Sequence, residues 1–188
     1  MTLTIEDIRD LFAQHGAEQY SGEPVTQLEH ALQTAHLAEQ AEGDDELVTA
    51  CLLHDLGHLL NPQGDTPTLH GIDDAHQVFA LPFLRGLFSG RVLGAIERHV
   101  DAKRYLCQTR PAYHARLSDD SKRSLALQGG VFSAAQATAF VALPGAHDAI
   151  RLRVWDDRAK HKGLSTPPLA HYLERAARCA LPARPLAE

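Results

Sequence analysis

Six side chains in this 188-residue chain, His30, His54, Asp55, His76, His99 and Asp156, are of the types that hold metal ions. Imidazoles and carboxylates bind hard or borderline cations, and one centre needs only three or four of them. Six ligands therefore point to two ions. The adjacent pair His54-Asp55 matters most: a histidine ends on one ion, whereas a carboxylate has two oxygens and can join one ion to the next.

Helices must deliver these groups. Thr4 lies three residues before Asp7 and just ahead of Ile8, Leu11 and Phe12, which predicts a capped first helix ending near Gly16. A second is expected from about Val25 to Glu42, with Leu28, Ala31, Leu32, Ala35 and Leu37 on its apolar side and His30 within it. Asp44-Asp45-Glu46 is an acidic start for a third. Its Leu47, Val48, Ala50, Cys51, Leu52 and Leu53 are apolar almost all round, so it should be buried and deliver His54-Asp55 at its end, where Gly57 would stop it. Asn61 to Thr68, rich in Pro, Gly and Asp, reads as a loop over a pocket mouth.

Further helices are expected from Ile72 to Leu87 and Gly90 to Lys103, carrying His76 and His99. Others follow from the Ser118 cap to Gly129-Gly130, from Ser133 to Ala142, from His147 to Lys160 with Asp156, and from Pro168 to Leu181. Alternating β-branched runs are nearly absent, so the fold class is all-α. Residues 1–188 are expected to form a single helical domain with its core at 20–160, a C-terminal helix at 168–181 and a loose tail at 182–188.

A lone histidine on a helix is usually an ordinary core or surface residue, and His15, His36, His114, His147, His161 and His171 are read that way. The joint case differs, because His54-Asp55 ends a strongly apolar helix where charge must be compensated. His70 competes with His76 for one ligand place. His76 is preferred, since Val78, Phe79, Phe83 and Leu84 put it on a helix that must pack inward.

The net charge of −6 and scattered basic residues exclude the clustered footprint of a nucleic-acid binder. Three separated cysteines, Cys51, Cys107 and Cys179, form neither a disulfide framework nor a thiolate zinc site and fit a reducing cytoplasm. No leader, membrane span or obligatory protein partner is visible.

A second group of residues suggests an anion site. Lys103 is four after His99 and shares its helical face, where two cations would repel it unless an anion intervened; otherwise it reaches out to solvent. Arg153, three before Asp156, offers a planar fork for oxyanions, or else pairs with Asp156 or Asp157. Ser121, Ser124 and Gln128 form one polar stripe, which is either a solvated face or a set of donors to a tetrahedral anion. His58 could add a donor. Glu23 would suit a cation at the other end of the pocket, although with Tyr20 it could simply shape the turn around Gly22 and Pro24. On this reading Lys103 and Arg153 touch only the anion, and changing them would leave the metals in place.

The order His … His-Asp … His … His … Asp resembles that of HD-domain metalloproteins, an all-helical superfamily mostly of phosphohydrolases. Further segments, Tyr20-Ser-Gly-Glu23, Gln27-Leu-Glu-His30, His54-Asp-Leu-Gly-His58, His99-Val-Asp-Ala-Lys-Arg-Tyr105, Leu117-Ser-Asp through Leu127-Gln-Gly-Gly130, and Arg153-Val-Trp-Asp156, are together similar to PhnZ-type HD oxygenases. That resemblance implies an Fe(II)/Fe(III) pair bridged by Asp55, with O2 as co-substrate. It implies cleavage of the carbon–phosphorus bond of 1-hydroxy-2-aminoethylphosphonate or its trimethylammonio analogue, to phosphate and glycine or glycine betaine. Tyr20 would be an iron ligand that leaves when substrate arrives. The alternatives are a phosphohydrolase using a bridging hydroxide, and a non-catalytic HD module that binds a nucleotide or signals to a partner.

Overall fold

A computed structural model describes residues 2–20, 22–62, 67–73 and 75–182. Ser21, half of the expected mouth loop (63–66) and most of the expected tail (183–188) lie outside the described residues.

Side-chain caps set the helix starts. Thr4 and Asp7 close a reciprocal capping box on α1 (Ile5–His15), and Thr26 and Glu29 do the same for α2 (Gln27–Gln40). Asp44 accepts from the Leu47 amide at the head of α3 (Asp45–Leu53). Each cap satisfies a backbone amide that the helix cannot, for about 1 kcal/mol. Residues Leu47 to Leu53 of α3 are all buried, and the helix packs against α2, α7 (Gly90–Thr109), α11 (Ala146–Asp156) and α12 (Leu169–Arg178). Burying a leucine stabilises by roughly 1.5–3 kcal/mol, so this helix is the axle of the fold.

The fold is all-α, as expected, but the chain differs from the expected elements at places that bear on the site. Gly57 does not stop α3. His54 caps that helix, Asp55 turns the chain (φ −103°, ψ 13°), and a new helix, α4 (Leu56–Leu60), begins with Gly57 inside it. The glycine is there for close approach: a Cβ on it would lie 2.1 Å from the His76 carbonyl oxygen. Only a bare Cα lets α4 meet the backbone that carries His76.

The helix expected over 72–87 is two short ones, α5 (His76–Phe79) and α6 (Leu81–Leu84). Pro82 lacks an amide hydrogen and its ring would strike the carbonyl four residues back, so the chain breaks and places it in the first turn of α6. Ala75, at φ 48°, turns the chain sharply into α5. Beyond α7 come α8 (Pro111–Arg116), α9 (Asp119–Leu127) and α10 (Ala134–Val141). Helix α7 runs six residues past Lys103 and α8 was not foreseen, whereas α11 ends at Asp156 instead of Lys160. The released segment returns to α2, where the buried Gln33 side chain donates to the His161 carbonyl (2.8 Å) and accepts from its amide (3.0 Å).

Candidate metal centre and its pocket

His30 comes from α2, His54 and Asp55 from the α3–α4 break, His76 from the start of α5, His99 from α7 and Asp156 from the end of α11; all six are buried. Three imidazoles are oriented by backbone carbonyls: His30 Nδ1 donates to Ala159 O (2.9 Å), His54 Nδ1 to Cys51 O (2.8 Å) and His99 Nδ1 to Ile96 O (2.7 Å). A carbonyl only accepts, so Nδ1 carries the proton and each Nε2 presents a lone pair inward.

Those lone pairs converge in two groups around Asp55. On one side His30 Nε2 and His54 Nε2 are 3.2 Å apart, and Asp55 Oδ2 lies 3.5 and 3.4 Å from them. Asp156 closes this group, with Oδ1 3.4 Å from His30 and Oδ2 3.8 Å from His54. On the other side His76 Nε2 and His99 Nε2 are 3.1 Å apart, and Asp55 Oδ1 is 3.2 and 3.7 Å from them. Ligands about 2.1 Å from one ion lie roughly 3.0–3.4 Å from each other, and these groups, at 3.1–3.8 Å, come close to that spacing. Asp55 Oδ2 and Asp156 Oδ1 are also buried acceptors with no hydrogen-bond donor. Facing lone pairs and orphaned carboxylate oxygens are unfavourable without a cation between them, so the residues fit two metal ions sharing Asp55.

The protonation states suit ligation. Burial pushes His54 and His99 down, His99 well below its ordinary value with help from His54 and His76, so both are neutral imidazoles. Burial works to raise Asp55 and Asp156. Asp55 nevertheless lies well below the usual carboxylate range, drawn down by the charge that His54 and His76 carry whenever they are protonated, and the Arg153 guanidinium holds Asp156 down permanently. Burial, then the charges of Asp55 and Asp156, raise Tyr20 well above an ordinary phenol; its ring stacks on His30 with centroids 3.9 Å apart.

A cavity opens over the centre, lined among others by Tyr20, Asp55, His58, His76, His99, Lys103, Ser121, Ser124, Gln128, Arg153 and Asp156. His58 stacks on His76 (4.2 Å) at the cavity wall. Lys103 is 2% exposed, and its ammonium donates to the neutral Ser124 hydroxyl (2.7 Å). Burial, aided by the positive Arg153, pushes it down to about 7. Gln128 Oε1 is buried without a donor. His70 is exposed at the end of the 3-10 turn Pro67–His70, outside both ligand groups.

Two residues are engaged by partners of their own, Arg153 in the carboxylate pairing that its spacing allowed. The Arg153 fork is engaged: Nη1 pairs with Asp156 Oδ2 (2.7 Å), Nη2 with Asp157 Oδ1, and Nε with the Tyr113 hydroxyl (3.3 Å). It supports a candidate ligand rather than touching only an anion. Glu23 does not face an open pocket end, because its carboxylate accepts from Lys160 Nζ (2.6 Å). Lys160 and Tyr113 were not singled out in the sequence; no local spacing links either to its partner.

A family model described as HD domain matches residues 28–128. The chain is 41% identical over 176 residues to a hydroxymethylphosphonate dioxygenase of Gimesia maris, covering 93% of this chain and 87% of that protein. It is 37% identical over 168 residues to a [1-hydroxy-2-(trimethylamino)ethyl]phosphonate dioxygenase (glycine-betaine-forming) of Leisingera caerulea, covering 89% and 86%. An uncharacterised protein of Acanthamoeba polyphaga mimivirus is 34% identical over 171 residues, covering 89% and 78%. By these matches the chain belongs to the HD-domain family and, within it, to the PhnZ-type branch.

Proposed function

We propose that this protein is an O2-dependent dioxygenase that cleaves the carbon–phosphorus bond of a small 1-hydroxyalkylphosphonate, with iron as its metal, held as an Fe(II)/Fe(III) pair. The observation that carries this reading is the division of the two Asp55 oxygens between two ligand groups, beside a buried lysine whose bonding partner is a neutral hydroxyl. His30, His54, Asp156 and Asp55 would hold one ion, and Asp55, His76 and His99 the other. When bound, the metals supply Lewis acidity toward the substrate oxygens and the electrons that activate O2. The reaction balances as R–CH(OH)–PO3H2 + O2 → R–COOH + H3PO4, consuming no external reductant. The acid is formic for hydroxymethylphosphonate, and glycine or glycine betaine for the amino and trimethylammonio substrates.

The chain's own residues bind and orient the substrate. Lys103 and His58 supply charge and donors to the phosphonate, with Ser121, Ser124 and Gln128 along the same wall. Arg153 fixes Asp156 and adds positive potential from behind it. Tyr20, a phenol against His30, is the candidate ligand that gives way to substrate. The free thiols fit a cytoplasmic protein, and among the described residues no helix is long and apolar enough to cross a membrane.

The test incubates iron-loaded protein with hydroxymethylphosphonate and with 1-hydroxy-2-aminoethylphosphonate, with and without air. Phosphate release is expected only with O2, one phosphate per O2. Release indifferent to O2, or turnover of phosphoesters alone, replaces this reading with a hydrolase.

Lys103 gives a second expected result. A dianion arriving beside an ammonium that titrates at about 7 raises its pKa, so binding takes up a proton. Anaerobic titration at about pH 7.5 in buffers of different ionisation enthalpy should show that uptake in wild type and not in Lys103→Met. The same change is expected to raise KM about 10–100-fold, roughly 1.4–2.8 kcal/mol, with iron content retained.

A further inference from the structure

We infer that Lys160 is a specificity-determining residue that cancels the charge of Glu23 and makes the pocket select compact 1-hydroxyalkylphosphonates without a cationic group; this rests on the oxygenase reading above. Lys160 lies in the segment after α11, and its backbone is pinned on both sides. Ala159 O accepts from the buried His30, and His161 is clasped by Gln33 through both its amide and its carbonyl. The side chains of Lys160 and Glu23 are 15% and 10% exposed, so their 2.6 Å pair is shielded from solvent and held in one geometry.

The pair stands directly behind the pocket wall, neither residue lining the cavity itself. Lys160 Nζ is 3.5 Å from Ser121 Oγ and from Ser118 Oγ, and 5.9 Å from the centre of the Tyr20 ring; Tyr20 and Ser121 both line the cavity. Unpaired, Glu23 would offer this wall a poorly solvated negative charge and favour an ammonium on the substrate. Lys160 is that ammonium, supplied by the chain itself. A substrate cation could reach the carboxylate only by displacing it and leaving a mostly buried lysine without a counter-charge. A substrate with hydrogen or a small apolar group at C1 pays no such penalty.

The experiment measures kcat/KM of the iron-loaded protein for hydroxymethylphosphonate and 1-hydroxy-2-aminoethylphosphonate. Wild type is expected to favour hydroxymethylphosphonate, and Lys160→Met to move the ratio toward the aminoethyl substrate by at least about tenfold. Lys160→Arg should keep the wild-type ratio, and Lys160→Met combined with Glu23→Gln should lose the gain, because the freed carboxylate is what attracts the ammonium. Wild type that prefers the aminoethyl substrate overturns the inference even if no variant folds. An active wild type whose ratio is unmoved in Lys160→Met overturns it while leaving the oxygenase reading intact. Wild type that releases phosphate from neither compound overturns both.

Discussion

Asp55→Ala is expected to abolish iron loading and to lower kcat/KM by at least about a thousandfold, roughly 4 kcal/mol of transition-state stabilisation. The reason is the geometry of one carboxylate. Its Oδ2 lies against His30 and His54 and its Oδ1 against His76 and His99, and among the described residues Asp55 alone belongs to both ligand groups. Without it the first ion keeps two imidazoles and Asp156, the second keeps two imidazoles, and nothing joins them. Iron per chain by mass spectrometry and phosphate release check the two halves of this result. Thermal melting supplies a third: iron should raise the melting temperature of wild type by mass action and leave that of Asp55→Ala where it was. Two irons retained in Asp55→Ala would refute the bridge. His54→Ala is expected to lose iron similarly, because its neutral imidazole is oriented by Cys51 O toward the same point.

Arg153→Met is expected to destabilise the protein by about 3–5 kcal/mol, the usual result of removing one partner from a buried ion pair. Arg153 is 5% exposed and joins Asp156, Asp157 and Tyr113; without it two carboxylates face each other across an apolar side chain. Denaturant unfolding measures the loss. Iron occupancy should fall as well, because Asp156 is no longer held. This differs from a loss of substrate affinity alone, which is what the sequence suggested, and a variant with wild-type stability and a raised KM would restore that simpler role.

The pH dependence carries the same sign. Arg153 lowers Asp156 below its unfolded value near 3.8, so the unfolded chain binds the proton more tightly. The pair's contribution is fully present above that value and is lost as pH falls below it, through the depressed folded pKa. In Arg153→Met the carboxyl is no longer depressed by the guanidinium, and the acid-unfolding midpoint of the metal-free protein should move to higher pH.

Much of the site was legible because its logic is local. Residue type marks His54-Asp55 as ligands, the apolar run before them marks a buried helix, and the i, i+4 spacing of His99 and Lys103 puts both on one face of α7. The caps at Thr4 and Asp44 are likewise short-range, each side chain bonding an amide three residues on, whereas the Thr26 cap starts α2 two residues later than the expected Val25. Pro82 carried a break signal, but the apolar pattern of Val78, Phe79, Phe83 and Leu84 ran through it and the helix was read as continuous. Gly57 departs from its local signal for a different reason. Its local meaning is a helix stop, and its actual role is to admit a carbonyl from a residue that only the fold brings near.

The sequence by itself determined the ligand types, the helical class and the order in which helices present the metal groups, since these follow from residue chemistry and from the helical period of 3.6. Tertiary structure alone decided how the charges are spent. Glu23 meets Lys160 across 137 residues, and the Tyr113 hydroxyl meets Arg153 across 40 and Asp157 across 44. A charge takes whichever opposite charge burial leaves within reach, and that neighbour is set by how helices pack and loops return, which no spacing along the chain encodes.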